Sequence, residues 1–98
     1  MPSSHATVHT ERPERYIKQL VSHLGHRLST ELTDDGIGTI GMDNGRCVLT
    51  PADGSIEIAA SAGDEEALSG LQDVVARHLI RFGGDGELEV AWASSPAA

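Results

Sequence analysis

The chain has little of what stabilises small secreted proteins or builds membrane spans. Its 98 residues include one cysteine, Cys47, so no disulfide can form within the chain. No apolar run approaches the roughly 18 residues of a membrane helix, and residues 1–5 do not resemble the start of a signal peptide. We therefore expect a cytoplasmic protein without membrane contact, with residues 1–98 forming a single domain that is ordered over about 5–93 and frayed over 94–98.

Aromatic and basic residues are also scarce. Aromatics make up 3% of the chain, so aliphatic side chains must form the core. Seven Lys and Arg residues stand against 15 Asp and Glu residues, which gives a formal net charge of −8. Proteins that track nucleic-acid phosphates carry basic patches instead. The composition therefore predicts no nucleic-acid partner and leaves a small ligand or a protein partner open.

Apolar spacing along the chain predicts the fold class. Helical spacing occurs at residues 16–28 and 68–82, with Thr10 expected to cap the first helix and residues 63–66 to begin the second. Strands are predicted at residues 6–8, 30–32, 37–42, 46–50, 55–60 and 87–93. The order β-α-β-β-β-β-α-β predicts an α+β two-layer sandwich, with two helices on one face of a mostly antiparallel sheet.

Two glycine motifs fall in the predicted strand region. Asn44-Gly45 predicts a type I′ hairpin turn, in which both central residues have positive φ. Residues 36–41 read G-x-G-x-x-G, but a strand rather than a helix is predicted after them, so a dinucleotide site is not expected. Glycine within a strand marks a bend or a close backbone approach instead.

Most of the acidic residues lie between residues 29 and 66. Their positions coincide with predicted turns and with the start of the second helix, where carboxylates are favoured. A cation site is the alternative, but the regular ligand spacing of a calcium loop is absent. The acids are therefore interpreted as turn and capping residues.

Five histidines are spread over the first strand and both helices. His5 and His9 lie on one face of the first strand. His23 and His26 are three residues apart on the first helix, which brings their Cβ atoms within about 5–6 Å. His78 lies within the apolar face of the second helix. If the helices pack side by side, His78 comes close to His23.

These histidines support a metal-site hypothesis and a competing structural interpretation. Neutral imidazole binds Zn, Cu, Fe and Ni, and a thiolate can complete such a site. A histidine on an apolar face usually packs and bonds to a backbone carbonyl, and a lone cysteine usually behaves as a small hydrophobe. Both interpretations stay open. The hypothetical transition-metal ligands are His23, His26, His78 and Cys47, and no catalytic residue is predicted.

Several stretches of the chain resemble one family of small bacterial proteins. They are the run from Arg12 to Leu20 with His23 and His26, the tripeptide Gly45-Arg46-Cys47, and the run from Asp73 to Leu79 with Phe82. The family is a domain of unknown function, and the resemblance covers about residues 6–92. Its members are frequently labelled dihydroxyheptenedioic acid aldolase, and some lie near siderophore-utilisation genes. The resemblance therefore implies a lean towards iron or siderophore metabolism.

Three functions remain open. The favoured one is a non-catalytic binding or accessory module. The second is a metal-dependent enzyme of the aldolase type, with a histidine site that subunits could share. The third is a structural or oligomerisation module that pairs through a strand edge or the open sheet face. A Schiff-base aldolase needs a desolvated lysine, and Lys18 is predicted on the solvent side of the first helix.

Overall fold

Six strands and two helices form the part of the chain that the computed structural model describes, residues 3–26, 28–42, 44–83, 88, 90 and 92–94. The elements are β1 (Ser3–His9), α1 (Pro13–Leu24), β2 (Ser29–Leu32), β3 (Gly38–Met42), β4 (Gly45–Ala52), β5 (Ser55–Ala62), α2 (Glu65–Gly83) and β6 (Ala93–Ser94). Neither described helix has the length and apolar character needed to span a bilayer.

The strands form one sheet in the order β2-β3-β4-β5-β1-β6, and each described pairing is antiparallel. Both helices contact β4, β5 and each other, which places them side by side on one face. The α+β prediction is therefore confirmed. The strand order could not be read from the sequence, because β1 pairs with β5 across the whole of α1 and three intervening strands.

The core lies between the helices and the inner face of the sheet. Alternate residues of β1 and β5 point inward, and Val8 lies opposite Ile56. Each fully buried Leu or Ile side chain contributes about 1.5–3 kcal/mol of transfer free energy. The largest fully buried side chains are Ile17, Leu20, Ile40, Leu49, Ile56, Ile58, Leu71 and Leu79.

The first helix begins later than the predicted Thr10 cap implies, and it ends earlier than its apolar spacing at residues 16–28 predicts. The predicted Thr10 cap is wrong, because its hydroxyl accepts a hydrogen bond from the backbone N–H of Arg12, which precedes the helix. Pro13 is the first helical residue, where its missing N–H costs nothing. The helix ends at Leu24, and Leu28 packs against the core from outside it.

The hairpin predicted at Asn44-Gly45 forms, because β3 and β4 pair antiparallel, but the predicted placement of its turn is wrong. Gly45 is the first residue of β4 and lies opposite Met42, and neither Asn44 nor Gly45 has positive φ. Asn44 instead donates a hydrogen bond from Nδ2 to the Asp64 carboxylate at 3.1 Å, which joins this hairpin to the start of α2. The glycine with positive φ in the next hairpin is Gly54, at +76°.

Gly38, within the glycine-rich motif, lies where α1 packs closely on the backbone of β3. A Cβ atom at this position would lie 2.7 Å from Ile17 Cγ2 and 2.8 Å from Val21 Cγ2. The side chains of α1 thus pack directly on the backbone of β3, as expected for a close approach. The sequence match to a dinucleotide fingerprint has no structural counterpart, since its residues 38–41 lie within β3 and no helix follows them directly.

The last predicted strand is shorter than expected. Of the described residues within the strand predicted at 87–93, Ala93 alone lies in β6, which pairs with β1. Leu88 is buried, and Val90 and Trp92 pack against the core, although none of them is in a strand. Residues 84–87, 89, 91 and 95–98 lie outside the described residues. They include most of the tail expected to fray over 94–98, of which Ser94 is described and lies in β6.

Candidate functional site

His23 lies in the last turn of α1, on the side that faces α2. The helix buries an apolar stripe that includes Leu20 and Leu24, and this stripe fixes its rotation on the sheet. His23 lies at the edge of the stripe, where its side chain is exposed to solvent and also contacts α2. The amphipathic pattern of α1 therefore positions this imidazole between the two helices.

His78 lies on α2 and is half-buried. Its Nδ1 atom is 2.7 Å from the backbone carbonyl oxygen of Val74, one turn earlier. Because a carbonyl oxygen only accepts hydrogen bonds, Nδ1 carries the hydrogen and donates it. The neutral ring therefore has its lone pair on Nε2, and that nitrogen is the one left for a ligand.

His23, His78 and Phe82 form a cluster of three rings between the helices. The centroids of the two imidazoles are 5.1 Å apart, with an interplanar angle of 50°. The ring of Phe82 is 5.7 Å from His23 and 6.3 Å from His78, in edge-to-face geometry. These separations fall within the range of favourable aromatic contacts. The cluster thus holds both imidazoles in a defined geometry.

A groove of about 470 Å³ lies beside this cluster, within the usual size range of small-molecule sites. Apolar and basic side chains share its lining. The lining residues are His23, Leu24, His26, Leu28, Met42, Val74, Arg77 and His78. Three of the four hypothetical metal ligands are therefore brought to one groove.

Cys47, the fourth hypothetical ligand, lies elsewhere. Its side chain is fully buried on the inner face of β4, and it does not line the groove. Burial raises the pKa of the Cys47 thiol to about 12, because the thiolate loses its hydration in the core. The side chain is therefore a neutral core residue and is not poised to bind a metal ion.

The described residues contain no group of three or more His, Cys, Asp or Glu side chains arranged to hold a metal ion. His23 and His78 are a pair, and a transition metal bound by two imidazoles must take further ligands from solvent or from another molecule. His5 and His9 are on the exposed face of β1 and do not line the groove. A site of four protein ligands is thus not assembled in this part of the chain.

Sequence reasoning missed several residues of the site. Phe82 and Arg77 flank His78 on α2, and their positions were readable from helical spacing once His78 was chosen. Leu28 and Met42 had no such signal, because their approach depends on the strand order and on the end of α1.

Comparison with known proteins places the chain in a bacterial family. The family model described as "Uncharacterized protein conserved in bacteria (DUF2218)" matches residues 5–93. The chain belongs to this family. Comparison with curated proteins gave no match.

A solved structure shares the fold of this DUF2218 chain. It is the "NMR structure of PA4090 from Pseudomonas aeruginosa", with 34% sequence identity and a TM-score of 0.81. The match covers 95% of this chain and 96% of that one. Neither the description of the family nor the name of this structure states an activity or a ligand.

Proposed function

We propose that this DUF2218 chain is a non-catalytic binding module and that its ligand site is the histidine groove, the groove lined by His23, His26 and His78. The observation that carries the proposal is the 5.1 Å separation of the His23 and His78 rings at the edge of a groove of about 470 Å³. A few convergent polar groups in mostly apolar surroundings are typical of small-molecule sites.

The lining of the groove supports binding rather than catalysis. Its described residues include no carboxylate, hydroxyl, thiol or amine that could act as a nucleophile. The single lysine, Lys18, is exposed on α1, so nothing desolvates it for Schiff-base chemistry. An aldolase of the Schiff-base type is therefore not supported by these residues.

A transition-metal ion is the second candidate occupant, and the orientation of His78 favours it. Histidines that bind metals usually donate their other ring N–H to a carbonyl or carboxylate, which orients the ring. His78 donates from Nδ1 to Val74 in this way and leaves Nε2 free. Iron remains a prediction that derives from the family resemblance, so Fe²⁺ is tested together with Zn²⁺.

An NMR titration of the ¹⁵N-labelled chain tests both candidates. Zn²⁺, Fe²⁺ under anaerobic conditions and a small set of organic acids, amides and amines are added separately. At least one probe is expected to shift the backbone amides of residues 23–28 and 74–78. The shifts should be lost in the double variant His23→Ala/His78→Ala and retained in His9→Ala, which removes an exposed imidazole from the other face of the sheet. Unshifted groove amides with every probe would refute the proposal.

A further inference from the structure

The histidine groove is a basic site in an acidic chain. The chain has a formal net charge of −8, whereas the described lining of the groove contains three histidines and Arg77 and no carboxylate. Arg77 is thus the one permanently charged side chain on that lining, and its charge is positive. A cationic ligand would meet a like charge at this position, and an anionic ligand would be attracted.

Arg77 is accessible to a ligand. Its guanidinium is 3.6 Å from the carboxylate of Asp73, one turn earlier on α2, and the two side chains are 65% and 69% exposed. Exposed pairs of this kind are weak, because solvent screens the attraction and ordering two long side chains costs entropy. A bound carboxylate can therefore compete for the guanidinium, whose fork of N–H donors matches a carboxylate in bidentate geometry.

The imidazoles supply further polar contacts beside Arg77. On His78 the Nδ1 hydrogen is already donated to the Val74 carbonyl oxygen, so Nε2 is the nitrogen that can contact a ligand. In the protonated form of an imidazole both ring nitrogens donate hydrogen bonds. His23 lies next to this ring and is exposed on its outer side. The polar side of the groove can thus offer several donors to one anionic group.

The other side of the groove is apolar. Leu28, Met42 and Val74 are half-buried, pack against the core and line the groove. A ligand that filled the groove would cover these side chains and remove apolar surface from water. The groove therefore matches a ligand with a charged head and an apolar body. A small hydrophilic ion would leave the apolar side chains exposed to water.

We propose that the groove binds a small organic carboxylate, whose carboxylate group is held by Arg77 and the imidazoles and whose apolar body lies on Leu28, Met42 and Val74. This inference rests on the proposed function, since it names the ligand class of the same site. The one permanent positive charge among the described lining residues matches a monoanion, and the volume of about 470 Å³ accommodates a molecule of the size of phenylacetate.

The test compares three probes of similar shape and different charge, each added to the ¹⁵N-labelled chain at constant ionic strength. Phenylacetate is the anion, phenylacetamide is neutral and phenethylamine is the cation. Phenylacetate is expected to shift the amides of residues 23–28 and 74–78 with a Kd of about 1 mM or lower. The amide should bind at least about fivefold more weakly, and the amine should not saturate, because each lacks the charge-assisted contacts.

Two variants of α2 separate the role of Arg77 from general charge effects. Arg77→Gln should weaken phenylacetate binding at least about fivefold and bring it close to the affinity for phenylacetamide. Arg81→Gln removes the same charge from an exposed position that does not line the groove, and it should leave both affinities unchanged.

The outcomes distinguish this inference from the proposed function. Equal affinities of the three probes, or equal effects of the two variants, would overturn the carboxylate proposal while leaving the groove as a binding site. Saturable binding of Zn²⁺ or Fe²⁺ without phenylacetate binding would also overturn it. If neither the organic probes nor the metal ions shift the groove amides, the proposed function fails as well.

Discussion

The ring of Phe82 meets the imidazole of His23 edge to face, with the centroids 5.7 Å apart and an interplanar angle of 82°. This contact joins the end of α2 to the last turn of α1, at the rim of the histidine groove. The residues that shape the proposed site therefore also help to hold the two helices together. Changes made to test the site must for this reason be accompanied by measurements of stability.

The contact between His23 and Phe82 is expected to be energetically coupled. A double-mutant cycle with His23→Ala and Phe82→Leu, followed by urea unfolding, should give a coupling free energy of about 0.5–1.5 kcal/mol, as found for aromatic pairs in contact. His26→Ala serves as the control in a second cycle with Phe82→Leu and should give a coupling within about 0.5 kcal/mol of zero. Equal coupling in both cycles would show that the ring contact is not specific.

Gly38 is expected to be required for the packing of α1 on β3. Gly38→Ala places a methyl group within 3 Å of Ile17 and Val21, so the helix must shift, and the free energy of unfolding should fall by about 1–3 kcal/mol. Gly70→Ala is the matched control, since nothing lies within 4 Å of its Cβ position and alanine favours the helix. It should stabilise the fold by about 0.5–1 kcal/mol. Urea denaturation of both variants measures these changes in the free energy of unfolding. A Gly38→Ala protein as stable as the wild type would contradict the packing of α1 on β3.

The start of α2 depends on Asp64. One carboxylate oxygen accepts a hydrogen bond from the backbone N–H of Ala67 at 2.7 Å, and the other accepts one from Asn44 Nδ2. Asp64→Ala removes this N-cap and should lower the free energy of unfolding by about 1 kcal/mol. Asp73→Ala removes an exposed carboxylate from the middle of the same helix and should cost less than about 0.5 kcal/mol. Equal costs in thermal or urea unfolding would argue against the cap.

Burial of Cys47 predicts a specific loss of stability at alkaline pH. Its folded pKa is about 12, against 9.0 as the ordinary value. Below pH 9 both states keep the thiol proton, whereas between pH 9 and 12 the unfolded chain loses its proton first, so stability falls as pH rises. Between pH 8 and pH 10.5 this effect amounts to about 2 kcal/mol.

The comparison that isolates this effect uses Cys47→Ala. This variant starts from a lower stability, because it leaves a small cavity in the core, but it lacks the thiol and should lose about 2 kcal/mol less than the wild type over the same pH interval. Urea unfolding at several pH values measures both slopes. Parallel pH dependences of the two proteins would contradict a buried, protonated thiol.

The parts of the fold that were predicted correctly depend on local periodicity. The stripe from Ile17 to Leu24 and the alternation along β5 report which side of each element is buried, whatever its neighbours are. The incorrect predictions concern places where tertiary contacts determine the local backbone conformation. Asn44-Gly45 favours a positive-φ turn in isolation, but Gly45 pairs with Met42 as the first residue of β4, and Asn44 bonds to Asp64 at the start of α2.

In the candidate site, too, local sequence patterns predicted some residue positions, and tertiary contacts determined the others. The proximity of His23 and His78 followed from their faces on two neighbouring helices. Cys47 alternates with Leu49 along β4, so the inward orientation that removes it from the metal hypothesis was already present in the sequence. Met42 could not be placed in the groove without the strand order, which no local pattern encodes.

Binding of a carboxylate beside His23 and His78 is tested most directly by a long-range ¹H–¹⁵N correlation spectrum of the histidine rings, recorded with and without phenylacetate at fixed pH and ionic strength. The ring nitrogens of His23 and His78 are expected to shift on ligand addition, while those of His9 on the opposite face of the sheet are expected to stay unchanged. Unchanged rings of His23 and His78 at millimolar phenylacetate, or an equal shift of His9, would contradict it.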